Sequence, residues 1–135
     1  VSEDVISTFE SRTPDAYGAS AAVAPIQQRL PPVVVGVSVQ TGAVDIPPGP
    51  LLLHIHFSEP MMDGAWSVVE YAPGSAPPLT EPPRLSEDGR RLDLHLDLAP
   101  TRLYAFWLND HEHSNFRDLE GTALNPYLVG FQTRA

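Results

Sequence analysis

The chain has 135 residues, enough for one domain to bury a core without staples, and the absence of cysteine rules out a disulfide framework and every thiolate metal site. Its 17 acidic residues face 8 basic ones, all arginine, for a formal charge of −9. That balance repels phosphate backbones and anionic lipid, which argues against nucleic acid as a partner, and the longest apolar runs, VVV at 33–35 and LLL at 51–53, are far too short for the ~20 residues of a membrane span.

In chain order, residues 1–30 form a separate compositional zone, an N-terminal arm or linker. Ser2 followed by Glu3 and Asp4 is an acceptable helix start, with acidic groups where the helix dipole favours them. Val5, Ile6 and Phe9 give an apolar edge that Arg12 and Pro14 close, so a short helix is expected over 2–12. From Asp15 to Leu30 the composition turns to Ala, Ser, Gly and Gln, as in linkers. Val1 in place of an initiator Met, with no basic-then-apolar leader, is what a mature or excised portion of a longer protein would have.

The domain proper is expected over 31–135. Val33 to Val39 alternates as a first strand, with Gly36 marking a bulge. The stretch LLLHIHFSEPMM, Leu51 to Met62, is the strand around which the rest is organised. Leu51, Leu53, Ile55 and Phe57 fall on one face and His54 and His56 on the other, until Glu59-Pro60 stops the ladder. A short strand follows at Trp66 to Tyr71. Pro73 to Pro83 is so dense in proline that it can be only an edge or a loop. Ser86-Glu87-Asp88-Gly89 is a turn that feeds a strand in which Leu92, Leu94, Leu96 and Leu98 oppose Arg91, Asp93, His95 and Asp97. Leu103 to Leu108 places Tyr104, Phe106 and Leu108 inward, and Tyr127 to Thr133 closes the chain. About seven short strands with proline-rich turns and no long helical period argue for an all-β antiparallel sandwich.

These residues carry a resemblance. Phe57, Ser58, Pro60 and Met61 match a Phe-Ser-x-Pro-Met corner; Ser86, Asp88, Gly89, Arg90, Leu92 and Leu94 match a Ser-x-Asp-Gly-Arg turn opening a Leu-x-Leu strand. Leu98, Pro100 and Tyr104, then Asp118 and Gly121, then Phe131 and Thr133 complete the order. Over 31–135 the chain resembles the bacterial Ig-like domains of S-layer and other cell-surface proteins, the SbsA type. It departs from them at Gln40, where that family commonly has Pro, and in a charged, His-rich loop from Asn109 to Asp118. The resemblance implies a Greek-key, Ig-like sandwich. It also implies structural roles for the matched residues: Gly89 as a turn former, Phe57 and Phe131 as inter-sheet fillers, and Tyr104 as a tyrosine corner donating its hydroxyl to the backbone.

Candidate chemistry lies in the histidines. With the second and fifth strands adjacent, His54, His56 and His95 share an outer face with Asp93 and Asp97, a donor set suited to Zn²⁺ or Cu²⁺. A solvated polar face is the plainer reading. The Asp110-His111-Glu112-His113 loop lacks both the zinc-helix spacing and the calcium-loop order. There is no G-x-S-x-G elbow, no phosphate loop and no thiol nucleophile, so no enzyme is expected and no cofactor beyond such a metal. Trp66 and Trp107 are candidate sugar-stacking platforms if exposed, with packing against the opposite sheet's edge or a neighbouring module as the equal alternative.

The function expected is therefore that of a non-catalytic Ig-like module of a secreted or cell-surface bacterial protein, serving as spacer, adhesion or assembly unit. Its partner would be a protein, a neighbouring module of the same chain, or a second copy met through the arm or the sheet edges. The alternative is a periplasmic copper- or zinc-binding sandwich similar to copper-resistance proteins, although the chain lacks their N-terminal His and has only two methionines, Met61 and Met62.

Overall fold

The computed structural model describes residues 30–135, and the expected arm and its helix over 2–12 lie outside the described residues. Pro31–Ala135 forms one compact unit. Among the described residues there is no helix, and seven strands follow in order: β1 (Val34–Val37), β2 (Gly49–Phe57), β3 (Val68–Glu70), β4 (Arg84–Leu85), β5 (Arg91–Leu98), β6 (Leu103–Leu108) and β7 (Tyr127–Gln132). They form a four-stranded sheet in the order β1-β2-β5-β4 and a three-stranded sheet in the order β3-β6-β7. Every pairing within the two sheets is antiparallel.

The alternation in the sequence sets the core. β2 and β5 pair along their length, bringing Leu51, Leu53 and Ile55 against Leu96, Leu94 and Leu92. Leu53, Ile55, Leu92 and Leu94 are wholly buried. Each such side chain stabilises the fold by about 1.5–3 kcal/mol through burial, so this ladder offsets part of the ordering cost of its two strands. From the other sheet, Tyr104 and Phe106 of β6 pair with Phe131 and Val129 of β7, and all four join the same buried cluster as the leucines. One core lies between two sheets, the arrangement of a β-sandwich.

Several strands differ from their expected extent, β3 covering only Val68–Glu70 where Trp66 to Tyr71 was expected. β1 has four residues, and its pairing register shifts between Val34 and Gly36, where the bulge was expected. The proline-rich stretch is a loop that touches β5 through a Leu79–Leu96 bridge and becomes a strand only at Arg84–Leu85, after Pro83. The Thr80 N–H already donates to the His95 carbonyl at 2.9 Å, but Pro82 and Pro83 have no N–H to continue the ladder between that bridge and Arg84.

The free edge of β7 is partly covered. Gly42 donates to the Gly130 carbonyl at 2.8 Å, Gln132 to that of Ala43 at 2.8 Å, and Ile46 to that of Gln132 at 3.1 Å, with a parallel Ile46–Thr133 bridge. The β1–β2 connection, which leaves one sheet, thereby seals an edge of the other. Covered edges resist strand addition by other chains.

Candidate functional site

The β2–β5 register decides what the histidine face can do. It sets His54 opposite Asp93, His56 opposite Arg91, Leu52 opposite His95 and Pro50 opposite Asp97. His54 Nδ1 lies 2.7 Å from Asp93 Oδ1, and Arg91 donates to the same carboxylate from Nε at 3.0 Å and Nη2 at 3.2 Å. Burial would raise the Asp93 carboxyl, but the hydrogen bonds from His54 and Arg91 outweigh it and hold it below the usual range. His95 Nδ1 is 3.9 Å from Glu81 Oε1, too far for a hydrogen bond, and it is buried without a partner. His56 is exposed beside Gly36 and lines an open depression with Ser86, Glu87, Asp88, Arg90 and Arg91.

His54, His56, His95, Asp93 and Asp97 thus share a face without forming a ligand set. Among the described residues no three His, Asp or Glu side chains gather closely enough to hold an ion. The reason is register: His54 and His95 occupy diagonal rather than facing positions, and the Arg91 guanidinium already neutralises the one carboxylate that His54 reaches.

The corner after β2 is more tightly built. Phe57 donates to the Arg90 carbonyl at 2.8 Å, Met61 to that of Gly89 at 2.8 Å, and Arg90 Nη1 to that of Ser58 at 2.9 Å. Gly89 is held at φ 76, and a Cβ there would stand 3.2 Å from the Met61 nitrogen and 3.3 Å from its oxygen, so turn and corner require glycine at their contact. Ser86 Oγ donates to Asp88 at 2.7 Å. That bond, with the Arg90 N–H, keeps the Asp88 carboxyl low. On the other side, Met62 donates to the Arg117 carbonyl at 2.8 Å and Met61 bridges Asp118. Asp118 Oδ1 caps the Asp118–Gly121 turn by accepting from the N–H groups of Glu120 at 3.0 Å and Thr122 at 2.9 Å.

At this corner the structure brings together an acid pair that the sequence reading missed. Burial, a hydrogen bond with Asp118 and the charges of Asp118 and Glu120 raise the Glu59 carboxyl, against the opposing charge of Arg90. Burial also pushes Asp118 upward, but the Thr122 N–H, the Glu59 contact and the N–H groups of Glu120 and Gly121 outweigh it and leave Asp118 low. The two carboxyls are thus shifted in opposite directions, Glu59 upward and Asp118 downward. The signal available in sequence was an acid beside the corner proline and a second acid opening the Asp-x-x-Gly turn.

Tyr104 is buried, and its hydroxyl accepts from the Ala99 N–H at 2.8 Å. The bond runs opposite to the expected direction, the backbone N–H donating to the hydroxyl, while the Ala99 carbonyl accepts from Thr133 Oγ at 2.7 Å. Phe57 and Phe131 fill the core as expected, with ring centroids 6.3 Å from Phe116 and 6.0 Å from Tyr104 respectively. Compared with known proteins, the chain matches no family model, and no curated protein matches it.

Proposed function

We propose that the chain is a non-catalytic Ig-like module of the SbsA type, a spacer, adhesion or assembly unit of a secreted or cell-surface bacterial protein. One observation supports this reading most: the two sheets have the strand orders β1-β2-β5-β4 and β3-β6-β7, the orders expected of a seven-strand, constant-type Ig domain. The Tyr104 hydroxyl bonded five residues upstream supports it as the counterpart of the tyrosine corner. The residues matched to the family's motifs are spent on holding loops to one another: Ser58, Pro60 and Met61 at the corner, Asp88 and Gly89 in the turn above it, Asp118 and Gly121 in the turn below. A frame locked in this way suits a module that keeps its shape outside the cell and carries function on its surface.

The test is display. Placed between a membrane anchor and a reporter on a bacterial surface, the module should hold the reporter intact under added protease, as a folded spacer does. Clipping within residues 31–135 at a rate matching an unstructured linker would overturn the reading.

A further inference from the structure

At the end of β6, Trp107 lines an open hollow of about 410 Å³ together with Asp110, His111, Glu112 and Pro126. Trp107 sits on the central strand of its sheet, half-buried, with Val69 and Leu128 as its cross-strand neighbours. The indole is therefore fixed by the sheet while part of its surface stays open. No described residue accepts a hydrogen bond from its N–H.

The loop beyond it is also fixed. Asp110 donates its N–H to the His113 carbonyl at 2.7 Å, and its Oδ1 accepts from the N–H groups of Glu112 at 2.9 Å and His113 at 2.7 Å, with His113 Nδ1 at 3.0 Å. Burial would raise the Asp110 carboxyl, but these bonds outweigh it and hold it below the usual range. Oδ2 has no partner among the described residues, and Glu112 is exposed at the rim. No arginine lines the hollow.

An aromatic wall, two carboxylates and no lining arginine make a field that favours positive charge. We propose that this hollow receives an arginine side chain from a basic segment of a partner protein. A guanidinium suits it better than an ammonium, because a planar, weakly hydrated cation can stack on the indole while its edge meets a carboxylate. A neutral sugar would use the ring but gain nothing from the charge. The proposal supplies a partner chemistry for the assembly role given above and rests on that role only in making the partner a protein.

The probe is a capped peptide carrying two arginines, titrated calorimetrically into the full chain, beside the same peptide with citrulline, which keeps the shape and loses the charge. The arginine peptide should bind saturably, with the citrulline peptide weaker by at least about five-fold. Glu112→Gln should weaken arginine binding about three-fold, and Trp107→Phe should weaken it less than Trp107→Ala. Glu87→Gln, which removes an equal charge from the exposed turn ahead of β5, should leave binding unchanged. Equal binding of the two peptides, no binding at all, or equal losses in Glu87→Gln and Glu112→Gln would overturn the proposal. So would tighter binding of a neutral oligosaccharide that Glu112→Gln leaves unaltered. Those outcomes are read separately from protease resistance on the cell surface, so the failure of one proposal is distinguishable from the failure of the other.

Discussion

A single side chain, Asn109, organises the loop between β6 and β7. It is 1% exposed, and its Nδ2 donates to the carbonyls of Phe116 and Leu124, both at 3.0 Å, while its Oδ1 accepts from the Phe116 N–H at 3.0 Å. Its backbone is left-handed, at φ 64, a conformation asparagine tolerates better than most residues with a Cβ. Asn109→Ala would leave the Leu124 carbonyl and the Phe116 N–H buried without partners, the Phe116 carbonyl keeping only the Leu124 N–H at 2.9 Å, and would keep the unfavourable φ. We expect a loss of about 3 kcal/mol or more, read as a lower denaturant midpoint at unchanged m-value. Asn109→Asp should be at least as harmful at neutral pH, since it sets an anion against two carbonyl oxygens. If either variant kept the parent midpoint, these hydrogen bonds would not be what orders the loop. Sequence reading saw Asn109 only as the start of a polar connection, because its partners lie 7 and 15 residues away and no local pattern links them.

At the scale of elements, the corner after β2 is a clamp with an internal electrostatic conflict. A carboxyl raised on folding favours the protonated form, so the Glu59 contribution is present below its ordinary value of 4.5 and is lost as pH rises through the higher folded value. At neutral pH the corner therefore holds two adjacent negative charges. Glu59→Gln should raise the thermal midpoint at neutral pH, because the amide can still donate to Asp118 without adding charge. It should have little effect well below pH 4.5, where Glu59 is already protonated. A midpoint lowered at neutral pH would show that the Arg90 charge, not the acid pair, governs the corner. Much of this architecture was legible: the period of two in β2 and β5 assigned Leu53, Ile55, Leu92 and Leu94 to the core, where they are wholly buried. Periodicity reports which face a residue occupies but not its offset along the neighbouring strand. His95 could be placed on the outer face beside β2, yet its pairing with Leu52 rather than a histidine was beyond reach. β4, at two residues, is too short to leave a pattern, and the Glu59–Asp118 contact joins segments with no sequence relation.

Across the whole molecule, acid should lower the stability of this chain, for a reason distributed over its surface. Asp88, Asp93, Asp110 and Asp118 are all held below their ordinary value of 3.8, each by hydrogen bonds to its charged form: Ser86 and the Arg90 N–H, His54 and Arg91, the Glu112 N–H and His113, and the Thr122 N–H. A depressed folded value means that the unfolded chain binds more protons in that range, so stability rises with pH there. The four contributions are complete above pH 3.8 and are lost as pH falls through the lower folded values. They act on both sheets: Asp93 ties β5 to β2, Asp88 shapes the turn that grips the corner, and Asp110 and Asp118 set the loop between β6 and β7. Protonation therefore loosens the connections while leaving the apolar ladder intact. Denaturant midpoints taken from pH 2 to 7 should fall on the acid side of 3.8. Asp93→Asn should lower the midpoint at neutral pH and flatten that fall, since the bonds from His54 and Arg91 would already be weakened. A fall equally steep in Asp93→Asn would place the acid sensitivity in the other three carboxylates. A midpoint independent of pH below 3.8 would mean that none of these hydrogen bonds distinguishes the folded chain from the unfolded one.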